Sequence, residues 1–185
     1  MLIQITEKTH PVLLDIAYAT SGNFTGKVVY KQAKCLIHPD ALVCLEKAIV
    51  LAARQNLTLK IFDAFRPQAA QQALWDFCPN EMYIMPPSKG STHTRAVAID
   101  LTLVDASGVE LDMGTPFDDL TESSHHGADL SAFSVERRAV VEVNRYTLLG
   151  IMMTAGFDFY RYEWWHYQLF NPRSYDLLTD DYGMM

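Results

Sequence analysis

The sequence predicts a mixed fold of sheet and helices, α+β or α/β, and three observations predict it. Two runs, 57–65 (LTLKIFDAF) and 96–104 (AVAIDLTLV), have the apolar patterning of strands. Two other stretches, 40–56 and 134–154, repeat apolar residues at three- and four-residue steps, as helices with one buried face do. Aromatic residues make up 11% of the 185, which suits a pocketed enzyme better than a helical bundle. With 49% of residues apolar and 20% charged, the chain can bury a core and is not a disordered segment.

The elements follow in order. Residues 12–18 (VLLDIAY) read as a short strand or extended arm, and Asn23-Phe24-Thr25-Gly26 as a turn, with Gly26 free to take a positive φ. Asp40 is placed to cap a helix whose apolar positions are Leu42, Leu45, Ile49 and Ala52. The strand 57–65 comes next, and Pro67 opens a second helix that runs to Phe77. The prolines at 79, 86 and 87 make 78–89 a loop. On the strand 96–104, Val97, Ile99, Leu101 and Leu103 share one face, while Ala98, Asp100 and Thr102 share the other. Asp105-Ala106-Ser107-Gly108 should return the chain as a hairpin. The polar connection 112–133 is long enough to be expected to carry function. Ser134 caps a helix with Val140, Val143, Thr147, Leu148 and Ile151 on its buried face and Gly156 as its stop. The aromatic stretch 162–170 is β-prone.

Composition excludes some functions. A net charge of −7 argues against nucleic-acid binding through general electrostatics, which needs a basic face. No run approaches the ~18 apolar residues of a membrane span. Three cysteines, Cys35, Cys44 and Cys78, form no CxxC pair and are expected to be idle thiols in a reducing compartment. No basic segment followed by an apolar run opens the chain, so a cytoplasmic location is expected, or a periplasmic one if the chain is already processed. No linker or repeat divides residues 1–185, which are expected to form one domain.

The chemistry concentrates in two places. His93 stands seven residues before Asp100, and His166 stands three after Glu163 in Glu163-Trp164-Trp165-His166. Imidazoles and a carboxylate are ordinary zinc ligands, and a catalytic zinc keeps one position open. A single His near a single Asp is by itself a common structural pair. Context sharpens the reading, because Asp100 interrupts an apolar strand and a buried carboxylate needs a partner. His166 likewise sits among Trp164, Trp165 and Tyr167. On a regular strand Glu163 and His166 would point to opposite faces. If both serve one site, Glu163 must lie in a loop or bulge just before the strand.

Ser91-Thr92-His93-Thr94-Arg95-Ala96-Val97-Ala98-Ile99-Asp100 resembles an SxHxxGxAxD signature, and Glu163-Trp164-Trp165-His166 an ExxWH-type one. Around them, in order, fall Tyr18-Ala19-Thr20, Asn23-Phe24-Thr25-Gly26, Asp63-Ala64-Phe65-Arg66-Pro67, Met113-Gly114-Thr115-Pro116-Phe117-Asp118 and Ser124-His125-His126. Together these resemble the zinc D-alanyl-D-alanine dipeptidases of the VanX type, over residues 12–170. The resemblance implies an α+β fold with a central antiparallel sheet flanked by helices, like the zinc D,D-peptidase and hedgehog amino-terminal domains. It implies one zinc per chain on His93, Asp100 and His166, with Glu163 as catalytic base and Arg66 stabilising the charged transition state. Asp118 and Tyr18 would lie near the substrate's amino terminus, and Ser91 among the substrate contacts. His125 and His126 are expected in supporting roles. The partner would be a small dipeptide, D-Ala-D-Ala, with neither nucleic acid nor membrane. One residue departs from the pattern, since Ala96 stands at the signature's glycine. The competing readings are a D,D-carboxypeptidase or L,D-endopeptidase of the same fold, and a non-catalytic zinc or peptide-binding domain. A binding domain has no need of Glu163 and Arg66.

Overall fold

The computed structural model describes residues 1–185. In chain order its elements are β1 (Ile3–Ile5), β2 (Leu13–Leu14), β3 (Cys35–Ile37), α1 (Pro39–Ala53), β4 (Thr58–Asp63), α2 (Gln68–Phe77), β5 (Ala98–Val104), α3 (Val135–Ala155), β6 (Phe157–Phe159) and β7 (His166–Leu169). Five strands form one sheet in the order β2-β4-β5-β7-β6, and β1 pairs with β3 apart from it. The fold is α+β, and β4, β5, β7 and β6 run antiparallel, each to the next. The edge strand β2 runs parallel to β4, so the sheet is mixed. A parallel pair needs a long crossover, and the segment holding β3 and α1 supplies it.

All seven residues of β5 are buried. A strand covered on both faces reads as a nearly continuous apolar run, which is the text of 98–104. On one side α1 and α3 pack against each other and against the sheet strands. Helix α3 begins and ends as its caps dictate. The Ser134 hydroxyl accepts from the Arg137 N–H, and Gly156 closes the helix in the left-handed region at φ 112°.

Three local expectations are corrected. The cap of α1 is His38, whose ring accepts from the Asp40 N–H, and Asp40 sits within the first turn. Pro39 at the first helical position fixes that start. On α3, Val140 and Val143 are 50% and 63% exposed. Its buried face is Val141, Arg145, Leu148, Ile151, Met152 and Ala155. The charged Arg145 on that stripe hides the true register from an apolar count. After β5 the chain turns at 105–108, but only a single bridge, Val104 to Glu110, follows the turn. The sheet neighbours of β5 are instead β4 and β7. The three cysteines are free thiols, and no helix is long and apolar enough to cross a membrane.

Candidate active site

Strand register builds the centre of the site. Asp100 on β5 pairs with Asp63 on β4 and with His166 on β7, so three polar side chains stand in one row across the sheet. A bulge between Ile61 and Asp63 makes this row. It inserts Phe62 as an extra residue and turns Asp63, rather than Phe62, toward the face of Asp100. Phe62 stacks instead on Phe117, with ring centroids 4.6 Å apart.

His93 joins the row from a short 3-10 turn, His93–Arg95, that leads into β5. The turn closes at Ala96, which takes the left-handed conformation at φ 57° and gives its N–H to the His93 carbonyl. His93, Asp100 and His166 are all buried, and their candidate ligand atoms lie within 4.8 Å of one another. His93 Nε2 is 3.2 Å from His166 Nδ1 and 3.2 Å from an Asp100 oxygen. His166 Nδ1 is 3.0 Å from the other Asp100 oxygen. The His93 Nδ1–H donates to the Ala64 carbonyl at 2.6 Å, which leaves Nε2 with its lone pair. Two neutral imidazoles and one carboxylate converging in a buried cluster are a donor set that fits a divalent transition metal such as zinc.

Glu163 lies in the turn between β6 and β7, its N–H donating to the Tyr160 carbonyl at 3.2 Å. The turn breaks strand alternation, so Glu163 and His166 reach the same pocket despite their odd spacing. A Glu163 oxygen is 3.7 Å from His166 Nδ1. Arg66 follows β4, and its guanidinium is fixed on several sides. Nε donates to Asp63 at 2.9 Å, Nη1 to the Gln71 side-chain oxygen at 3.1 Å, and Nη2 to Asp100 at 3.4 Å. Its central carbon lies 4.9 Å from the Tyr18 ring centroid.

Asp118 arrives on the connection 112–133 and holds φ at 63°, a left-handed conformation that aspartate adopts more readily than most residues with a side chain. Tyr18 donates its hydroxyl to Asp118 Oδ1 at 3.0 Å. The second oxygen, Oδ2, is buried without a partner. Two devices hold this loop. Phe117 inserts among Tyr18, Phe62 and Trp165, with centroid distances of 6.2, 4.6 and 5.5 Å. Arg145 from α3 donates to the carbonyls of Met113, Ser123 and His125 at 2.7, 2.8 and 3.1 Å. Ser91 is buried, and its hydroxyl oxygen accepts from the His93 N–H at 3.2 Å.

These groups line one cavity of about 200 Å³, in which Tyr18, Arg66, Ser91, Asp118 and Glu163 surround the His93/Asp100/His166 cluster. That is below the roughly 300–1,000 Å³ of ordinary ligand clefts, so it suits a substrate of few heavy atoms. The electrostatics favour cations. Burial pushes the carboxyls of Glu163 and Asp118 up to about 8 each. Burial also raises Asp63, against the pull of Arg66. For Asp100 the burial effect is outweighed by His93 and His166, which hold it well below the usual carboxylate range. Four carboxylates thus converge near one buried guanidinium. A bound cation would draw the raised carboxyls toward their charged form.

All the residues singled out from the sequence, His93, Asp100, His166, Glu163, Arg66, Asp118, Tyr18 and Ser91, line this single pocket. His125 and His126 stand outside the ligand cluster. His125 Nε2 is 3.0 Å from the Tyr83 hydroxyl, and His126 packs on Phe159. Sequence reasoning assigned no role to Asp63, Gln71, Arg145 or Gln168. For Asp63 a signal existed, a carboxylate ending a strand three residues before Arg66.

The sequence profile of Peptidase M15, D-Ala-D-Ala dipeptidase, matches residues 2–182. A D-alanyl-D-alanine dipeptidase of Escherichia coli strain K12 is 43% identical over 92% of this chain and 85% of its own. One of Enterococcus faecium is 35% identical over 92% of this chain and 94% of its own. Among solved structures, the Serratia marcescens L-Ala D-Glu endopeptidase ChiX superposes with a TM-score of 0.40 at 14% identity, covering 72% of this chain and 80% of that one.

Proposed function

The chain belongs to the D-Ala-D-Ala dipeptidase family of metallopeptidases, and on that premise we propose that residues 1–185 form one catalytic domain that hydrolyses D-alanyl-D-alanine to two D-alanines with a single zinc ion. His93 Nε2, Asp100 and His166 Nδ1 would hold the ion. When bound, it polarises the scissile carbonyl and lowers the pKa of water from about 15.7 toward about 7.

The chain's own residues do the rest. Glu163 accepts the proton of the attacking water and returns it to the departing amine. Its elevated pKa, about 8 by burial, falls when a cation lies beside it, which brings the carboxylate into the range a base needs. Arg66 faces the negative charge that develops on the carbonyl oxygen. Its hydrogen bonds to Asp63 and Gln71 hold it in place beforehand, so little reorganisation is needed as the charge forms. Asp118 Oδ2 takes the substrate's ammonium, with Tyr18 steadying the other oxygen. Ser91, whose oxygen accepts from a main-chain N–H, keeps its own O–H to donate to the substrate.

The observation that carries this reading is the convergence of Glu163, Arg66 and the unpaired Asp118 oxygen on the His93/Asp100/His166 cluster in one small cavity. Purified zinc-loaded protein, assayed on D-Ala-D-Ala, L-Ala-L-Ala and a wall pentapeptide ending in D-Ala-D-Ala, tests it. Cleavage of free D-Ala-D-Ala is expected and the other two should be poor substrates. Comparable kcat/KM on the pentapeptide would favour a carboxypeptidase.

A further inference from the structure

His166 and Gln168 are two residues apart on β7 and therefore project from the same face of the sheet. The Gln168 side-chain oxygen is 3.2 Å from His166 Nε2. The opposite nitrogen, Nδ1, is the one that faces Asp100 and His93. We propose that Gln168 is a positioning residue for the metal site, fixing the His166 proton on Nε2 so that the Nδ1 lone pair is free for the ion.

The chemistry follows from the two tautomers of a neutral imidazole. A ring that donates from Nε2 must present a bare Nδ1, and only a bare nitrogen can ligate. An ion at Nδ1 replaces the acceptors Asp100 and His93 Nε2 that face it in the metal-free site, and the Gln168 amide oxygen, which accepts and cannot donate, then keeps the ring's proton on Nε2. With the amide turned over, its NH2 would face Nε2 and drive the proton onto Nδ1, closing the ligand position. The two histidines of the site are held in opposite senses. His93 donates Nδ1–H to the main-chain carbonyl of Ala64 and offers Nε2, whereas His166 donates Nε2–H to a side chain and offers Nδ1. Of the two supports, only the one at His166 can be removed by a side-chain substitution. Gln168 is neutral, so it orients the ring without adding another charge to a pocket already rich in carboxylates. Such outer partners of a ligating histidine are commonly worth about 10–100-fold in metal affinity.

The inference rests on the reading of His93, Asp100 and His166 as metal ligands, and one titration separates the two. Zinc affinity of the purified full chain is measured by competition with a chromophoric chelator, for the parent, Gln168→Met and Gln168→Glu. Methionine keeps the length and removes the acceptor, and affinity should fall about 10–100-fold. Glutamate keeps the acceptor, and affinity should match or exceed the parent's. Metal-free melting temperatures should be alike for all three, because a partly exposed side chain whose role is to orient His166 contributes little to folding. Parent-like affinity in Gln168→Met, or equal weakening in the methionine and glutamate variants, overturns the inference. Should Gln168→Met fail to fold, Gln168→Asn, whose oxygen is drawn back by one methylene, must show the same loss. A parent that takes up no zinc overturns the metal reading itself, and the inference with it.

Discussion

Replacing Asp118 with asparagine removes one negative charge while keeping the side-chain volume and an oxygen for the Tyr18 hydroxyl. The bond at risk is the one an ammonium would make to Oδ2, which is buried and has no partner within the protein. A hydrogen bond to a charged group is worth about 1.5–3 kcal/mol. At about 1.36 kcal/mol per decade, the loss corresponds to roughly a 10- to 150-fold fall in kcat/KM. It should appear mainly in KM, since Asp118 touches the amino terminus and not the scissile bond. The comparison substrate is N-acetyl-D-Ala-D-Ala, which has no ammonium. The parent should cleave it poorly, and Asp118→Asn should leave its kcat/KM nearly unchanged, so the gap between the two substrates narrows. Steady-state kinetics of both proteins on both dipeptides give the answer. Equal falls on the two substrates, or no fall on the free dipeptide, would refute the assignment of Asp118 to the ammonium. A stability measurement checks the electrostatics separately. With the Asp118 carboxyl raised to about 8, the metal-free native state binds more protons than the unfolded chain between about pH 4 and pH 8. The contribution of this carboxyl to stability therefore falls as pH rises through that window. An asparagine side chain cannot titrate, so the metal-free Asp118→Asn variant should melt above the parent at pH 8 and gain little at pH 4.

Two further predictions follow from single residues. Glu163→Gln should retain zinc and lose about 10²–10⁴-fold in kcat, because the amide fills the same space but cannot accept the water's proton; a near-parental rate would identify another base. At Ala96 the left-handed backbone costs an alanine about 1–2 kcal/mol. Against this stand its fully buried methyl, worth about 0.8 kcal/mol, and the roughly 0.4–1 kcal/mol by which alanine limits the unfolded chain relative to glycine. Thermal melts should therefore place Ala96→Gly within about 1 kcal/mol of the parent. Ala96→Val, β-branched at the same φ, should melt well below both, and a parent-like valine variant would contradict the strain argument.

Two residues of the candidate site stood out in the sequence because each broke a local rule, whereas Arg66, Asp118, Tyr18 and Ser91 were singled out only by the family resemblance. Asp100 put a carboxylate in an apolar strand, and His166 put an imidazole among aromatics. The odd spacing of Glu163 and His166 required a turn between them, and β7 does begin only at His166. The caps of α3, Ser134 and Gly156, were equally plain. Other features left no such mark. β1, β3 and β6 are three residues each, too short for a period to register. The bulge at Phe62 that turns Asp63 into the pocket is a matter of pairing between strands and has no signature in either one alone. Arg145 reads as one more surface charge until its three carbonyl partners on the 112–133 connection are seen. Asp40 looked like the cap of α1 because acids favour that position, and His38 holds it because Pro39 starts the first turn two residues earlier. Gln168 is informative only once the ring nitrogen it faces is known.

The central claim is that His93, Asp100 and His166 hold one metal ion on which the dipeptidase activity depends. Elemental analysis of the purified parent beside His93→Ala and His166→Ala tests it most directly. The account predicts one zinc per chain in the parent and loss of zinc, together with D-Ala-D-Ala hydrolysis, in both variants. Full zinc occupancy in the two variants would contradict it.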